Sequence, residues 1–294
     1  MKLNPTRFNI PAVLCLVLAA GGNLAAQTAV ADCAACHRAI ADEWRGSLHR
    51  EAYTTPVFLA RKEELSRAGE SSCDCHAPQR LAPDYLGLKP TARADSLQLG
   101  VDCISCHLDG ERVAWSSGPT KYAPHWTRQA AIYASGNYCI GCHKWAPKDA
   151  FDCQECHMPL QAGPAADGPH LETPQGAAHR SHRWAASRDL ETLAQAVSLT
   201  VCGGGESLWV EVANLVPAHQ FPANSHRSAE IVLMDESGRE PSWRQSLTLA
   251  ADSTANFMVK AAGGPGGAWF ELRYFPGPAV WPDSFVVVRR APLP

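Results

Sequence analysis

The sequence predicts an α + all-β protein of two domains. A first domain of short helices and loops is followed by an immunoglobulin-like antiparallel β-sandwich. Two observations predict this arrangement. The motif Cys-x-x-Cys-His occurs four times between residues 33 and 157, which leaves too little chain between the copies for a conventional hydrophobic core. From residue 188 onward the motif is absent, and short apolar segments separated by turn residues take its place.

Two cysteines followed directly by a histidine are the attachment pattern of c-type haem, in which the thiols form thioether bonds and the imidazole binds iron. A fifth, shorter version reads Cys73-Asp74-Cys75-His76. We therefore predict five haem c groups that also fill the interior of the first domain. The predicted attachment residues are Cys33, Cys36, Cys73, Cys75, Cys103, Cys106, Cys139, Cys142, Cys153 and Cys156, and the predicted proximal iron ligands are His37, His76, His107, His143 and His157.

Disulfides and zinc are the other common uses of cysteine pairs. The chain has 12 cysteines, and once Cys15 and the ten motif cysteines are set aside only Cys202 is left. Zinc does not explain a histidine directly after every pair. For the shortened motif, a strained disulfide between Cys73 and Cys75 or two free thiols stays an alternative. Cys202 is interpreted as a buried apolar thiol.

Hydrophobic spacing predicts helices at Ala39–His49, Pro56–Ala68 and Trp126–Ser135, and a loop over Gln161–Gly176. Alternation of apolar and polar residues predicts the strands of the second domain. These strands are Ala196–Cys202, Leu208–Asn214, Ile231–Met234, Leu247–Ala250, Trp269–Tyr274 and Ser284–Val288. The predicted domains are 27–187, which carries the haem motifs, and 188–294.

Twelve histidines, five of them proximal, leave seven candidates for the opposite face of the irons: His49, His125, His170, His179, His182, His219 and His226. His49 closes a predicted helix that starts at the first motif. Because twelve helical residues span about 18 Å, His49 would serve a neighbouring haem rather than the haem of His37. His179 and His182 lie three residues apart, and His219 would let the β-domain contribute a ligand. Histidine on both faces favours low reduction potentials.

The N-terminus is typical of a secretory signal peptide, predicted over residues 1–26. Lys2 and Arg7 supply positive charge, Ile10–Ala20 is apolar, and small residues follow. A retained membrane anchor is the alternative. We predict a periplasmic or extracellular location, in agreement with covalent haem attachment. The net charge of −3 does not favour a nucleic-acid partner.

Three segments resemble the cytochrome c554-type multihaem family, whose relatives include hydroxylamine oxidoreductase and pentahaem nitrite reductase. They are Cys33–His37 with Glu43–His49, Gly100–His107 and Asp152–Pro159, and the segment from Asn214 to Arg227 resembles a β-domain of exported multihaem cytochromes. The resemblance implies distal ligand roles for His49, His182 and His219. The chain lacks the Cys-x-x-Cys-Lys motif of the nitrite reductases, and it carries five motifs where hydroxylamine oxidoreductases carry eight haems, so neither catalytic identity is implied.

The predicted function is electron relay through about five low-potential haems with two histidine ligands each. Partners would be other redox proteins, either cytochromes or quinol-linked membrane complexes, and no side chain is expected to act as a catalytic acid or base. Two alternatives stay open. One is an oxidoreductase for a small nitrogen or sulfur oxyanion, with an open haem at His76. The other is a homo-oligomer or a subunit of a conducting filament.

Overall fold

The computed structural model describes residues 30–69, 74–81, 90–109, 112–115, 123–143, 152–168, 171, 176–184, 189–204, 207–223, 227–235, 237–238, 242–260, 268–277 and 285–294. The chain forms two compact units. One comprises Met1–Ala82, Pro90–Arg128 and Ala162–His182, and the other comprises Pro83–Lys89, Gln129–Gln161 and Arg183–Pro294. The second unit thus contains two of the regular motifs beside the C-terminal strands. The predicted division into 27–187 and 188–294 stays a prediction.

The helices are short. They are α1 (Arg38–Arg45), α2 (Pro56–Arg67), α3 (Cys103–His107), α4 (Cys153–His157) and α5 (Leu190–Ala196), and residues 30–36 are also helical. The helix predicted at Pro56–Ala68 is confirmed as α2, which begins with Pro56 after Thr55, whose hydroxyl accepts the backbone N–H of Phe58 at 3.3 Å. In the described part of the chain, no helix is long and apolar enough to cross a membrane.

Two of the predicted helices differ from the observed structure. Helix α1 ends before Gly46, so His49 lies in the turns that follow and not on the helix. The helix predicted at Trp126–Ser135 is wrong, because this segment contains strand β3 and then a 3₁₀ turn at Ala131–Ala134. The backbone carbonyl of Trp126 accepts the N–H of Val113 at 2.8 Å, which draws the segment into a three-stranded sheet. The strands of this sheet are β1 (Leu108–Asp109), β2 (Arg112–Trp115) and β3 (Thr127–Gln129).

A small two-stranded sheet follows, formed by β4 (Leu160–Ala162) and β5 (Ala178–Arg180). The seven remaining strands form two antiparallel sheets, with the orders β10-β7-β6 and β12-β11-β8-β9. Their bounds are β6 (Val197–Gly204), β7 (Ser207–Asn214), β8 (Ser228–Met234), β9 (Trp243–Leu247), β10 (Thr254–Lys260), β11 (Trp269–Phe275) and β12 (Val286–Pro292). The predicted α + all-β class is confirmed. Strand β10 was not predicted, and β9 begins four residues before the predicted Leu247–Ala250. The interpretation of Cys202 as a buried thiol is wrong, because Cys202 lies in β6 and is exposed.

The hydrophobic core lies between these two sheets. Side chains from both sheets are fully buried in one cluster, among them Val210 and Val212 of β7, Ile231 of β8, and Phe270 and Leu272 of β11. In the unit that carries the first motifs, the buried apolar side chains are few and scattered; those of the described residues are Ala41, Trp44, Phe58, Ala77, Pro78, Pro90 and Leu99. The motif-bearing segments therefore do not show a core of the size that the β-sandwich has.

Glu271 of β11 is the centre of a charged cluster in the four-stranded sheet. Its side chain is 5% exposed and accepts hydrogen bonds of 3.0 Å from Trp269, Arg273 and Arg290. Burial alone would raise the pKa of Glu271, but the hydrogen bonds from Trp269 and Arg273 and the charges of both arginines lower it overall.

Because its pKa in the folded state lies below the unfolded value, Glu271 stabilises the fold above its ordinary pKa, and this contribution is lost as the pH falls through the folded pKa. The Glu271→Gln variant should therefore be less stable than the parent protein by about 1–3 kcal/mol at neutral pH. The difference should shrink as the pH falls from neutral through the folded pKa, below the ordinary pKa of a glutamate carboxyl. Thermal melts of both proteins across this range, with Glu211→Gln on β7 as a control, measure the effect. A stability difference that is constant across the range would contradict this role of Glu271.

Candidate haem-binding site

Three of the predicted proximal histidines face a second histidine. The ring centres are 6.4 Å apart for His37 and His125, 6.2 Å for His107 and His182, and 6.3 Å for His157 and His219. The angles between the ring planes are 34°, 34° and 24°. The partners in each pair come from distant parts of the chain, so the fold and not local sequence brings them together.

These separations fit two imidazoles bound to opposite faces of one metal. An imidazole nitrogen lies about 1.1 Å from the centre of its ring, because the ring bonds are about 1.33 Å long. A metal–imidazole bond measures about 2.0–2.1 Å. Two such ligands on opposite faces of one iron would have ring centres about 6.2–6.4 Å apart, and the three observed pairs fall in this range. Direct ring stacking would bring the centres closer together.

The ring nitrogens have the roles that iron ligation requires. The Nδ1 atoms of His37, His76, His182 and His219 lie 2.8–2.9 Å from the backbone carbonyls of Ala165, Ala52, Arg180 and Gln220, respectively. A carbonyl can only accept, so Nδ1 carries the proton, and Nε2 keeps its lone pair for a metal. Such hydrogen bonds also fix the orientation of the ring.

Burial keeps several of these imidazoles neutral. It lowers the pKa of His182 to about 4, and His107 beside it acts in the same direction. Burial likewise lowers the pKa values of His76 and His219, and His157 adds to the shift of His219. A neutral imidazole is the form that binds a metal.

Two of the motifs form the short helices α3 and α4, and an aspartate caps each of them. The Asp102 carboxylate accepts the backbone N–H of Ser105 at 2.9 Å, and the Asp152 carboxylate accepts that of Gln154 at 3.0 Å. Each helix places its two cysteines and the following histidine within a turn and a half. The first regular motif is also preceded by an aspartate, Asp32.

The first cysteines of the four regular motifs form two pairs in contact, Cys33 with Cys103 and Cys139 with Cys153. In the first unit the Cys103 thiol donates a hydrogen bond to Cys33, which lowers the pKa of Cys33 to about 7 and raises that of Cys103. In the second unit Cys139 and Cys153 are in hydrogen-bond contact, and burial followed by the charge of Cys153 raises the pKa of Cys139 to about 11. Groups attached at these cysteines would lie next to each other within each unit.

His49 lies in a turn whose backbone is packed against Gly100. The His49 carbonyl accepts the N–H of Val101 at 2.9 Å, and a Cβ at position 100 would lie 2.2 Å from the same oxygen. Gly100 also has a φ of +62°, which favours glycine. The Nδ1 atom of His49 is buried. Which haem His49 would serve stays a prediction.

His76, in the shortened motif, has a different environment. Its ring stacks on Phe58 of α2, with the ring centres 4.1 Å apart and the planes at 22°. Phe58 in turn contacts Tyr53, and the hydroxyl of Tyr53 lies 2.7 Å from Nζ of Lys62. Among the residues that the structure describes, the ring that contacts His76 is therefore a phenyl ring and not an imidazole. Cys73 of this motif lies outside the described residues.

His179 is held by protein groups at both ring nitrogens. Nδ1 lies 3.1 Å from the Gly163 carbonyl, and Nε2 lies 3.4 Å from the carboxylate of Glu43. This arrangement favours a structural role, although its assignment as an iron ligand stays a prediction. The structure places His143 two residues after the end of a 3₁₀ helix at Gly136–Gly141 that contains Cys139. His170 and His226, the other candidates, lie outside the described residues.

Sequence reasoning missed three residues that shape the site: Glu43, Asp102 and Phe58. The aspartates before the motifs had a recognisable signal, because an Asp followed by a short helical segment is a common N-cap pattern. Glu43 and Phe58 had none, because their contacts depend on chain segments far away in sequence.

Residues 32–108 match the family model described as cytochrome c554 and c-prime. No curated protein matches the chain. Among solved structures, the chain is similar to a penta-haem cytochrome c552 from Thermochromatium tepidum, with a TM-score of 0.61 and 16% sequence identity. The similar region covers 89% of this chain and 97% of the cytochrome c552. At this identity the likeness shows a shared fold. The family match thus covers the segment with the first three attachment motifs, and the solved structure shares the fold of the chain.

Proposed function

We propose that the protein is an exported cytochrome that relays electrons through about five low-potential haem c groups, most of them with two histidine ligands. Its partners would be other redox proteins, cytochromes or quinol-linked membrane complexes. The observation that carries the proposal is the set of three histidine pairs, with ring centres 6.2–6.4 Å apart. The pairs include three of the five proximal histidines of the attachment motifs.

Bound haem would supply one-electron redox centres whose potentials depend on the axial ligands, nearby charge and burial. The residues of the chain hold these centres. The motif cysteines would provide the covalent attachment, and the paired histidines would bind the iron. The carbonyls that bind Nδ1 keep each imidazole in one orientation, so that little rearrangement accompanies a change in charge.

The contacts between Cys33 and Cys103 and between Cys139 and Cys153 support a relay. Within each unit, they bring the attachment cysteines of two motifs into contact. Closely spaced redox centres are what a relay requires. Export is supported by the signal-like N-terminus and by the covalent mode of attachment; residues 1–29 lie outside the described residues.

Mass spectrometry and spectroscopy of the mature protein test this function. The protein, produced in a host that attaches haem c outside the cytoplasm, should carry five haem additions and show low-spin iron with two histidine ligands. A redox titration should place the midpoints in the low range expected for such ligation. Fewer than four covalent additions would rule out the proposal. Light scattering on the same sample would reveal a polymer, as the filament alternative requires.

A second candidate function is an oxidoreductase with an open haem at His76. This function is favoured because the Phe58 ring stacks on His76, whereas three other proximal histidines face an imidazole. A small oxyanion would bind at that iron, and Lys62, held against Tyr53, would supply a positive charge nearby. Binding of carbon monoxide or nitrite to one high-spin haem would support this function. Five low-spin haems that bind neither molecule would exclude it.

A further inference from the structure

We propose that Glu43 is a positioning residue that fixes the backbone of His182 opposite His107. This inference rests on the proposed function, in which His107 and His182 bind the same iron. Glu43 belongs to α1, the helix that directly follows the first motif. One of its carboxylate oxygens accepts the backbone N–H of His182 at 2.8 Å. The two residues are 139 positions apart in the chain, so this hydrogen bond joins the first motif region to the segment that carries the second ligand.

His179 holds the other carboxylate oxygen of Glu43. The distance from Nε2 of His179 to this oxygen is 3.4 Å, and the two side chains are only 4% and 10% exposed. Nδ1 of His179 is fixed in turn by the Gly163 carbonyl at 3.1 Å. A carboxylate this deeply buried is stable only when polar groups of the protein replace the lost water. The N–H of His182 is the partner of one oxygen, and Nε2 of His179 faces the other. Because Gly163 and Glu43 both present acceptors, both contacts of His179 are hydrogen bonds when each ring nitrogen carries a proton.

Three constraints therefore define the position of the His182 ring. Glu43 holds the backbone nitrogen, the Arg180 carbonyl holds Nδ1 at 2.8 Å, and His107 lies opposite with its ring centre 6.2 Å away. Outer-shell hydrogen bonds of this kind orient a metal ligand and tune the metal. A negative charge near an iron centre also favours its oxidised form, which lowers the reduction potential.

The test compares Glu43→Gln and Glu43→Ala with the parent protein, all with haem attached. The amide oxygen of glutamine can still accept the N–H of His182, so Glu43→Gln should keep all haems low-spin and raise the reduction midpoint of one haem. Alanine removes the acceptor as well. Glu43→Ala should therefore convert part of one haem to a high-spin form that binds carbon monoxide, and the glutamine variant should rescue this loss.

Asp42→Asn is the matched control. Asp42 lies beside Glu43 on α1, but its side chain is 74% exposed and pairs with Arg45. Removing its charge should leave every midpoint and the electron paramagnetic resonance spectrum unchanged. If Glu43→Ala does not fold, the reduction midpoints of Glu43→Gln alone test the inference. Parent-like midpoints and spectra in the folded Glu43 variants would overturn the inference, whereas a parent protein without covalent haem would overturn the proposed function itself.

Discussion

The His219→Ala variant is expected to change the haem predicted at Cys153 and Cys156 from a low-spin to a high-spin form. His219 faces His157 with ring centres 6.3 Å apart, and alanine cannot bind the iron. The reduced variant should bind carbon monoxide at one haem per chain, as measured by optical titration. A second variant, His219→Met, should keep a ligand but raise the reduction midpoint of the same haem, because His/Met ligation favours higher potentials than two histidines.

The loop that carries His219 is well suited to hold a ligand. Buried Asn214, at the end of β7, donates hydrogen bonds to the carbonyls of His219 at 3.0 Å and Ala250 at 2.8 Å. Phe221 is tied to Leu249 by two backbone hydrogen bonds of 2.8 Å. The control is Gln220→Ala, which removes an exposed side chain and keeps the carbonyl that binds Nδ1 of His219. A high-spin fraction equal in the alanine variants at positions 219 and 220, or absent from both, would contradict the ligand role.

The motifs and the β-sandwich could be predicted because their signals are local. Attachment of haem c requires two cysteines and a histidine next to each other in sequence, and a half-buried strand such as β7 requires alternation. Strand β10 was missed although it carries the same signal, since Ala255, Phe257 and Val259 alternate with other residues and a glycine-rich segment follows. The helix predicted at Trp126–Ser135 was wrong because pairing with β2 determined the structure there.

The pairing of the histidines could not be read from the sequence. Local spacing favoured His49 as a ligand of a neighbouring haem, because it follows the first motif on an apparent helix, yet α1 ends before Gly46. The sequence assigned no partner to His37, which faces His125. His179 and His182 lie three residues apart, so one helical face could offer both, although the resemblance implied a ligand role for His182 alone. In the structure the ring of His182 faces His107, while that of His179 contacts Glu43. Long-range contacts decided each of these cases.

Replacing Asp102 by alanine should destabilise the first unit by about 3–5 kcal/mol, the usual cost of removing one partner of a buried ion pair. The Asp102 side chain is fully buried and pairs with Arg93, whose side chain is 9% exposed. It also accepts the backbone N–H of Ser105 at 2.9 Å and the Ser105 hydroxyl at 2.7 Å. The variant would leave a guanidinium buried without its carboxylate and would remove the cap of α3. Guanidinium unfolding at equal haem content measures the loss.

Asp152→Ala separates the ion pair from the cap. Asp152 caps α4 in the same sequence context, an aspartate directly before Cys-x-x-Cys-His, and it is only partly buried. Its removal should cost about 0.5–2 kcal/mol, the range for an N-cap alone. An Asp102→Ala loss no larger than that of Asp152→Ala would show that the buried pair with Arg93 adds nothing. A clearly larger loss would mean that the buried ion pair of Asp102 with Arg93, both outside the Cys-x-x-Cys-His motif, holds α3 in place beyond what the cap alone contributes.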